Sequence, residues 1–330
     1  MKLTLTLLLL LAASTSVFSQ EIQKLEFCHC VDKVDQVSPV LNGKYERTCN
    51  GKVNETGTFK DGYKDGEWIT YSAKGGLIKK INYADGKLNG KIELFYFDGK
   101  TKLIATFKDG NPDSDWIFYS SNGSILIEGQ YDNGKPINKW NIYNKSKVAI
   151  AYDFTTSEYI MQGKPKLQKS GYFMRNDNSG GYFFFYFPEE EAIGKTAPLG
   201  GHQFAINMLL DLYEMPADYW DTCVRYEYLA TVSLSPDHHS TFSLRRLEGE
   251  LKELKKEVAY PFLVKTNPDS KITKIDHTEL SRKLLDFKIQ ESFSFLPPWI
   301  FAGDAEVKIR LPYVINGLID FSKPPVREYN

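Results

Sequence analysis

The chain has 330 residues, 42% hydrophobic and 25% charged, with a net charge of −1. That composition excludes a disordered polymer, and the balanced charge lacks the basic footprint that nucleic-acid binding needs. The length fits two domains, and the 20 Tyr and 21 Phe favour strands.

The opening stretch, MKLTLTLLLLLAASTSVFSQ, carries Lys2, an apolar run from Leu3 to Ala13, and small residues at Val17 and Ser19. It reads as an export signal over residues 1–19, cut near Ser19 or Gln20. Its apolar run is shorter than the about 20 residues of a membrane span. No cysteine follows that run directly, so a lipoprotein cut is not expected. The expectation is a periplasmic or secreted protein with no transmembrane anchor after cleavage. Residues 20–42 form an N-terminal segment. Cys28, Cys30, Cys49 and Cys223 are the cysteines. In an oxidising compartment Cys28 or Cys30 is expected to pair with Cys49, the alternative being free thiols. The Cys28-His29-Cys30 triplet has no second ligand pair at zinc spacing, so no metal is expected.

From residue 43 to 150 a 24-residue period dominates. Aromatics recur at Phe59, Tyr83, Phe107 and Tyr131, and glycines at Gly62, Gly86, Gly110 and Gly134. Trp68, Ile92, Trp116 and Trp140 form the next column, followed by Tyr71, Phe95, Tyr119 and Tyr143. Another glycine column, Gly51, Gly75, Gly99 and Gly123, is lost at Lys147. Five columns in register mark a structural repeat. Asp-Gly or Asn-Gly between alternating apolar residues supplies the positive φ of a tight hairpin turn. Each unit therefore reads as a hairpin with strands of about six residues. Copies should stack into one antiparallel meander in which each is its neighbour's core. Asn42 to Gly51 looks like a leading half-copy and Tyr131 to Lys147 like a terminal cap. The Trp and Tyr columns (Trp68, Tyr71, Trp116, Tyr119, Trp140, Tyr143) have two readings: sheet packing, or an exposed stripe that stacks on sugars or a peptide. These residues resemble the bacterial variant of MORN repeats, with Ile92 departing from the Trp of the other copies. The resemblance implies binding or scaffolding.

Residues 151–198 lose the period and form a β-rich connection and linker, with a strong strand signal at Gly181 to Pro188. Residues 199–330 read as an α+β domain. Phe204, Met208 and Leu212 step by four, which predicts an amphipathic helix between Gly200–Gly201 and Pro216. Alternation from Val224 to Leu234 predicts a strand, returning through Phe242 and Leu244 after the Pro236–Ser240 turn. Leu247, Leu251, Leu254 and Val258 predict a charged helix. Asp276 and Glu279 open a further helix expected to end near Gln290. Val307, Ile309, Leu311 and Tyr313 alternate with Glu306, Lys308 and Arg310 as a last strand. This order, with Pro298–Trp299 and Ala302–Gly303 before the final strand, resembles the C-terminal domain of TonB-type energy transducers over about 199–315. Gly249 to Lys274 departs from it as an insertion, and the transducers' uncleaved anchor and Pro-rich spacer are missing.

The fold class expected is thus mainly β plus α+β: an antiparallel β-hairpin repeat array followed by a small α+β domain resembling the TonB C-terminal domain. No catalytic grammar is present: G-x-S-x-G, H-E-x-x-H and G-x-G-x-x-G are all missing. His238–His239 read as a surface turn. The expectation is an exported, non-enzymatic envelope protein without a cofactor that binds an unknown protein or peptide. The TonB resemblance implies β-augmentation, an extended peptide adding at an open edge of the last strand beside Glu306, Lys308, Arg310 and Tyr313. The alternatives are a glycan- or peptidoglycan-binding repeat and an unrecognised hydrolase.

Overall fold

The computed structural model describes residues 23–27, 30–36, 39–72, 74–161, 173–176, 182–185, 193–202, 204–205, 208–209, 225–247, 257–259, 264–265, 289–314 and 318–319. The stretch expected to be an export signal, Cys28, Cys223, Leu212, Asp276 and Glu279 lie outside the described residues.

Thirteen strands form one sheet in strict chain order. They are β1 (Gln23–Phe27), β2 (Cys30–Gln36), β3 (Asn42–Cys49), β4 (Lys52–Lys60), β5 (Tyr63–Tyr71), β6 (Leu77–Ala84), β7 (Lys87–Phe95), β8 (Thr101–Lys108), β9 (Asn111–Tyr119), β10 (Ile125–Asp132), β11 (Lys135–Asn144), β12 (Lys147–Asp153) and β13 (Glu158–Met161). The sheet therefore runs past both ends of the repeat. Asn42 to Gly51 does not begin the sheet, because β1 and β2 pair ahead of it. Tyr131 to Lys147 is not a cap, because β12 and β13 pair after it.

The period has a simple mechanical origin. A strand of eight residues, a two-residue turn, a strand of nine and a five-residue turn complete one copy, as β6 and β7 show. The strands are longer than expected because the two-residue turns are as tight as a hairpin allows. Asp61–Gly62, Asp85–Gly86, Asp109–Gly110 and Asn133–Gly134 all have positive φ at both positions, the mirror-image turn whose twist matches the strands. In the fourth copy the wide turn shrinks to Lys145–Ser146, also at positive φ, which is why the glycine column ends there. Each tight turn is also tied to the hairpin before it. Gly86 N–H donates to Lys64 O at 2.9 Å, Gly110 N–H to Leu88 O at 2.9 Å and Gly134 N–H to Pro112 O at 2.7 Å.

Beyond the sheet, β14 (Phe173–Asn176) and β15 (Tyr182–Phe185) make a hairpin, so a strand does occupy the Gly181–Pro188 signal. β16 (Ala197–Pro198) pairs β21 (Trp299–Ile300). Helical residues follow at 202, 204–205 and 208–209, and again at 289–294, the latter reaching past the expected end at Gln290. A second sheet has the order β18-β17-β22-β19, from β17 (Arg225–Leu234), β18 (Ser240–Leu247), β19 (Glu257–Ala259) and β22 (Glu306–Val314). β20 (Val264–Lys265) pairs β23 (Leu318–Ile319). Val258, placed by spacing on a helix, lies instead in β19, where pairing to β22 satisfies its backbone.

Both parts share one core. Phe204, Met208, Phe293, Phe295 and Trp299 are buried in the same cluster as Trp116, Phe118, Ile127 and Tyr152 of the repeat sheet. Phe107 meets Phe295 edge-on at 6.0 Å, and Phe118 meets Phe204 at 6.3 Å. Tyr83 donates its phenol to Glu291. The C-terminal module thus lies on the aromatic face of the array.

Candidate interaction surface

Strand alternation puts the two aromatic columns on opposite faces. Trp68, Trp116 and Trp140 point inward and are 2%, 0% and 0% exposed. Their indole N–H groups repeat one bond, to Thr58 O at 3.1 Å, Thr106 O at 3.2 Å and Gln130 O at 3.1 Å. Each ring also meets the preceding aromatic column, at 4.9 Å from Phe59, 5.2 Å from Phe107 and 5.0 Å from Tyr131. Room for the indoles comes from the strand before. A Cβ added at Gly57 would lie 2.2 Å from Trp68, and one at Gly129 would lie 2.0 Å from Trp140. Ala105 holds that place before Trp116, and Ile81 holds it before Ile92, where it pairs Ile92 directly. The copy that lost its Trp therefore gained the volume opposite. With its faces and its N–H consumed, the Trp column cannot stack on a sugar, and the packing reading holds.

Toward the N-terminal strands the inner face becomes ionic. Arg47 grips Asp32 with two bonds, Nε–Oδ1 at 2.6 Å and Nη2–Oδ2 at 2.8 Å. Lys64 pairs Glu55 at 3.3 Å and lies 4.0 Å above the Trp68 ring. Burial, with Glu291 and Glu55 nearby, pushes the Tyr83 phenol well above its ordinary range.

Tyr71, Phe95, Tyr119 and Tyr143 point to the other face and are half-buried. Successive members are two strands, about 10 Å, apart. Tyr143 donates to Glu128 across the same face, and burial together with that carboxylate pushes its phenol up to about 12. Beside them runs a row set by register: Ile69 opposite Lys80, Lys80 opposite Glu93, Glu93 opposite Ile104, Ile104 opposite Ile117, and Ile117 opposite Glu128. Sequence reasoning missed this row because its isoleucines alternate with charges from copy to copy and form no column. The cross-strand register is the signal that finds them.

The proposed binding strand needs correction. β22 is not an open edge. β17 pairs it antiparallel over its whole length, and β19 pairs it in parallel, Glu257 opposite Lys308 and Ala259 opposite Arg310. Residues 257–259 thus supply a short strand that occupies the expected free edge at Lys308 to Arg310. Lys308 also pairs Glu306 at 2.9 Å. Of the remaining expected residues, Tyr313 sits opposite Tyr226 in the β17 pairing. The edge strands of that sheet among the described residues are β18 and the short β19.

Cys49 is disulfide-bonded, and the register of β2 and β3 places Cys30 directly opposite it. No group of three or more metal-ligating side chains occurs among the described residues.

His238 is not a surface residue: it is 3% exposed, wedged between Tyr152 and Phe154. Its Nε2 lies 3.0 Å from Ser157 Oγ, a spacing that invites comparison with a nucleophile and its base. The other nitrogen decides against it. Nδ1 accepts the Phe301 N–H at 2.9 Å, so neutral His238 carries its proton on Nε2 and donates toward Ser157. A general base needs the opposite tautomer, with Nδ1–H held by an acceptor.

Comparison with known proteins agrees with the repeat. The MORN repeat variant family matches residues 64–85 and 112–133. No curated protein matches the chain. Among solved structures, the crystal structure of TarM is similar at 12% identity over 43% of this chain and 21% of that one, with a TM-score of 0.15. A mutant of S. aureus TarM in complex with Fondaparinux, alpha-GlcNAc-glycerol and UDP is similar at 15% identity over 42% of this chain and 21% of that one, with a TM-score of 0.12. The chain thus spans about a fifth of their length, 21% in each case.

Proposed function

We propose that this is an exported, non-enzymatic protein of a bacterial envelope, and that it binds another protein through the outer face of its repeat sheet. The observation that carries the reading is the division of the two faces. The inner aromatic face is spent on the chain's own C-terminal module, while the outer face keeps Tyr71, Phe95, Tyr119 and Tyr143 half-exposed beside Ile104 and Ile117. A solvated sheet face is ordinarily polar, so apolar rows there suit a partner's surface. Lys80, Glu93 and Glu128 give the face charges for selecting that partner. The disulfide at Cys49 supports an oxidising compartment and hence export. No helix among the described residues is long and apolar enough to cross a membrane.

The C-terminal module supports a TonB C-terminal-like reading through its order of helix, antiparallel strand pair, helix end and final strand. The insertion strand β19 and the Cys49-bonded repeat sheet ahead of it set it apart from an energy transducer, so this module serves here as the array's inner cover.

A photo-crosslinking residue at position 117 tests the binding reading in whole envelopes. One protein adduct is expected, and it should vanish when Lys80→Glu and Glu93→Lys are added. An adduct to glycan, or a protein adduct indifferent to the charge reversal, would overturn it. Intact-mass measurement of the mature chain tests export separately: retention of Met1 would refute it.

A further inference from the structure

The turn between β17 and β18 meets the repeat sheet through the buried His238 ring and, at the surface, through an ion pair from Asp237 to Lys135. It closes on itself, with His238 N–H donating to Ser235 O at 2.8 Å and Ser235 N–H to His239 O at 3.1 Å. His238 stands at φ +62, which turns its ring into the end of the repeat sheet. There the ring lies edge-on to Tyr152 at 5.6 Å and to Phe154 at 5.1 Å. Its Nε2 faces Ser157 Oγ at 3.0 Å and Tyr152 Oη at 3.4 Å, both on the repeat sheet. Its Nδ1 accepts the Phe301 N–H at 2.9 Å, just past β21. One neutral imidazole thus connects the β17–β18 turn, the segment after β21 and the β12–β13 connection.

We propose that the Ser235–His239 turn is an acid-released latch between the C-terminal module and the last strands of the repeat sheet. Protonation puts a hydrogen on Nδ1, where it confronts the Phe301 N–H. Two donors then face each other where donor and acceptor had met, and a charge enters an aromatic pocket. The ionisable groups around the ring do little to offset this. The array presents the phenols of Tyr152 and, behind it, Tyr159, both held neutral by burial. The segment after β21 presents a backbone amide. On the turn itself Asp237 favours the charged ring, but that carboxylate is engaged by Lys135 of β11 and by Ser235. Burial outweighs Asp237 and holds the imidazole below its ordinary range.

The direction follows from linkage. A histidine lowered in the folded state closes the latch fully above its unfolded value of about 6.5. That contribution is lost as pH falls from there through the lower folded value. The test is hydrogen exchange on the full chain at pH 7.5 and pH 5, corrected for intrinsic rates. Opening at the Phe301 and His238 amides should rise about tenfold for each unit by which the folded value lies below the ordinary one. Amides of Ile92 and Ile117, in the middle of the sheet, should not respond. His238→Asn keeps an acceptor for Phe301 without titrating, so its protection should be flat over the same range. Nitrogen chemical shifts of the wild-type ring should place the proton on Nε2 at pH 7.5. Equal acid responses in wild type and His238→Asn would overturn the latch. So would a proton on Nδ1 at pH 7.5, or a wild-type His238 titration at or above about 6.5, readings that stand even if the variant fails to fold.

Discussion

On strand β9, Trp116 and Phe118 face one way and Ile117 and Tyr119 the other. The inward pair is 0% and 1% exposed, whereas the outward pair is half-buried, although all four are large and apolar. Composition therefore does not set the two faces apart. What separates them is the residue across the strand and the cover laid on one side. Inward, small residues such as Ala105 and Gly129 let an indole lie flat and bond a backbone carbonyl, and the C-terminal module closes over the face. Outward, opposing positions carry Glu93, Glu128 and Lys80, which need water, and the aromatic tips stay wet.

The largest test of that contrast is a pair of truncations on one strand. Trp116→Ala should cost about 3–5 kcal/mol, as buried aromatic truncations do. Tyr119→Ala, three residues on, should cost about 1 kcal/mol, the centre of ordinary substitutions. Urea melts giving similar losses would erase the distinction between the faces. The packing rule behind it can be tested by transplanting the second copy into the fourth. Gly129→Ile alone should destabilise by about 1–3 kcal/mol through overpacking against Trp140. Adding Trp140→Ile should restore part of the loss, with a coupling of about 0.5–3 kcal/mol. Strict additivity would show that the small residues do not exist to seat the indoles.

Alkaline titration sharpens the same comparison. Burial holds the Tyr131 phenol well above its ordinary range. A phenol raised in the folded state contributes stability below its unfolded value of about 10, and that is lost as pH rises toward the folded value. Tyr131→Phe should therefore flatten the fall in melting temperature above pH 10; an unchanged slope would place Tyr131 in water. The smallest effect belongs to the exposed Lys135–Asp237 pair. Its carboxyl is held well below the carboxylate range, chiefly by bonds from Lys135 and Ser235. Both partners are about half exposed, so Lys135→Gln should cost about 1 kcal/mol or less and the difference should shrink in high salt. A larger, salt-independent loss would make this pair part of the core.

The repeat sheet was legible because its two periods are carried by backbone chemistry: Asp-Gly and Asn-Gly fix the tight turns, and alternation fixes the faces. Which face would be covered was not legible. Trp68 and Tyr71 are equally periodic, and the cover, led by Phe204 and Phe295, lies far along the chain. Strands β1, β2, β12 and β13 were missed because they carry none of the repeated columns. The edge of β22 was misread because Glu257 to Ala259 are three residues, too few to show a period. His238 was misread because a Pro-Asp-His-His turn looks solvent-facing until its φ is known.

The tight turns bond one another along the sheet at a fixed interval, so in isolation the array is a modular object that tolerates whole units being added or lost. This chain is not free in that way. Its cover touches Tyr83, Phe107, Phe118 and Tyr152 or their neighbours at once, which spans β6 to β12. Removing one unit between them would leave every turn satisfied and still shift Phe295 and His238 off their marks by two strand widths. The C-terminal module acts as a gauge laid against the array, and it fixes the number of units wherever the gauge rests.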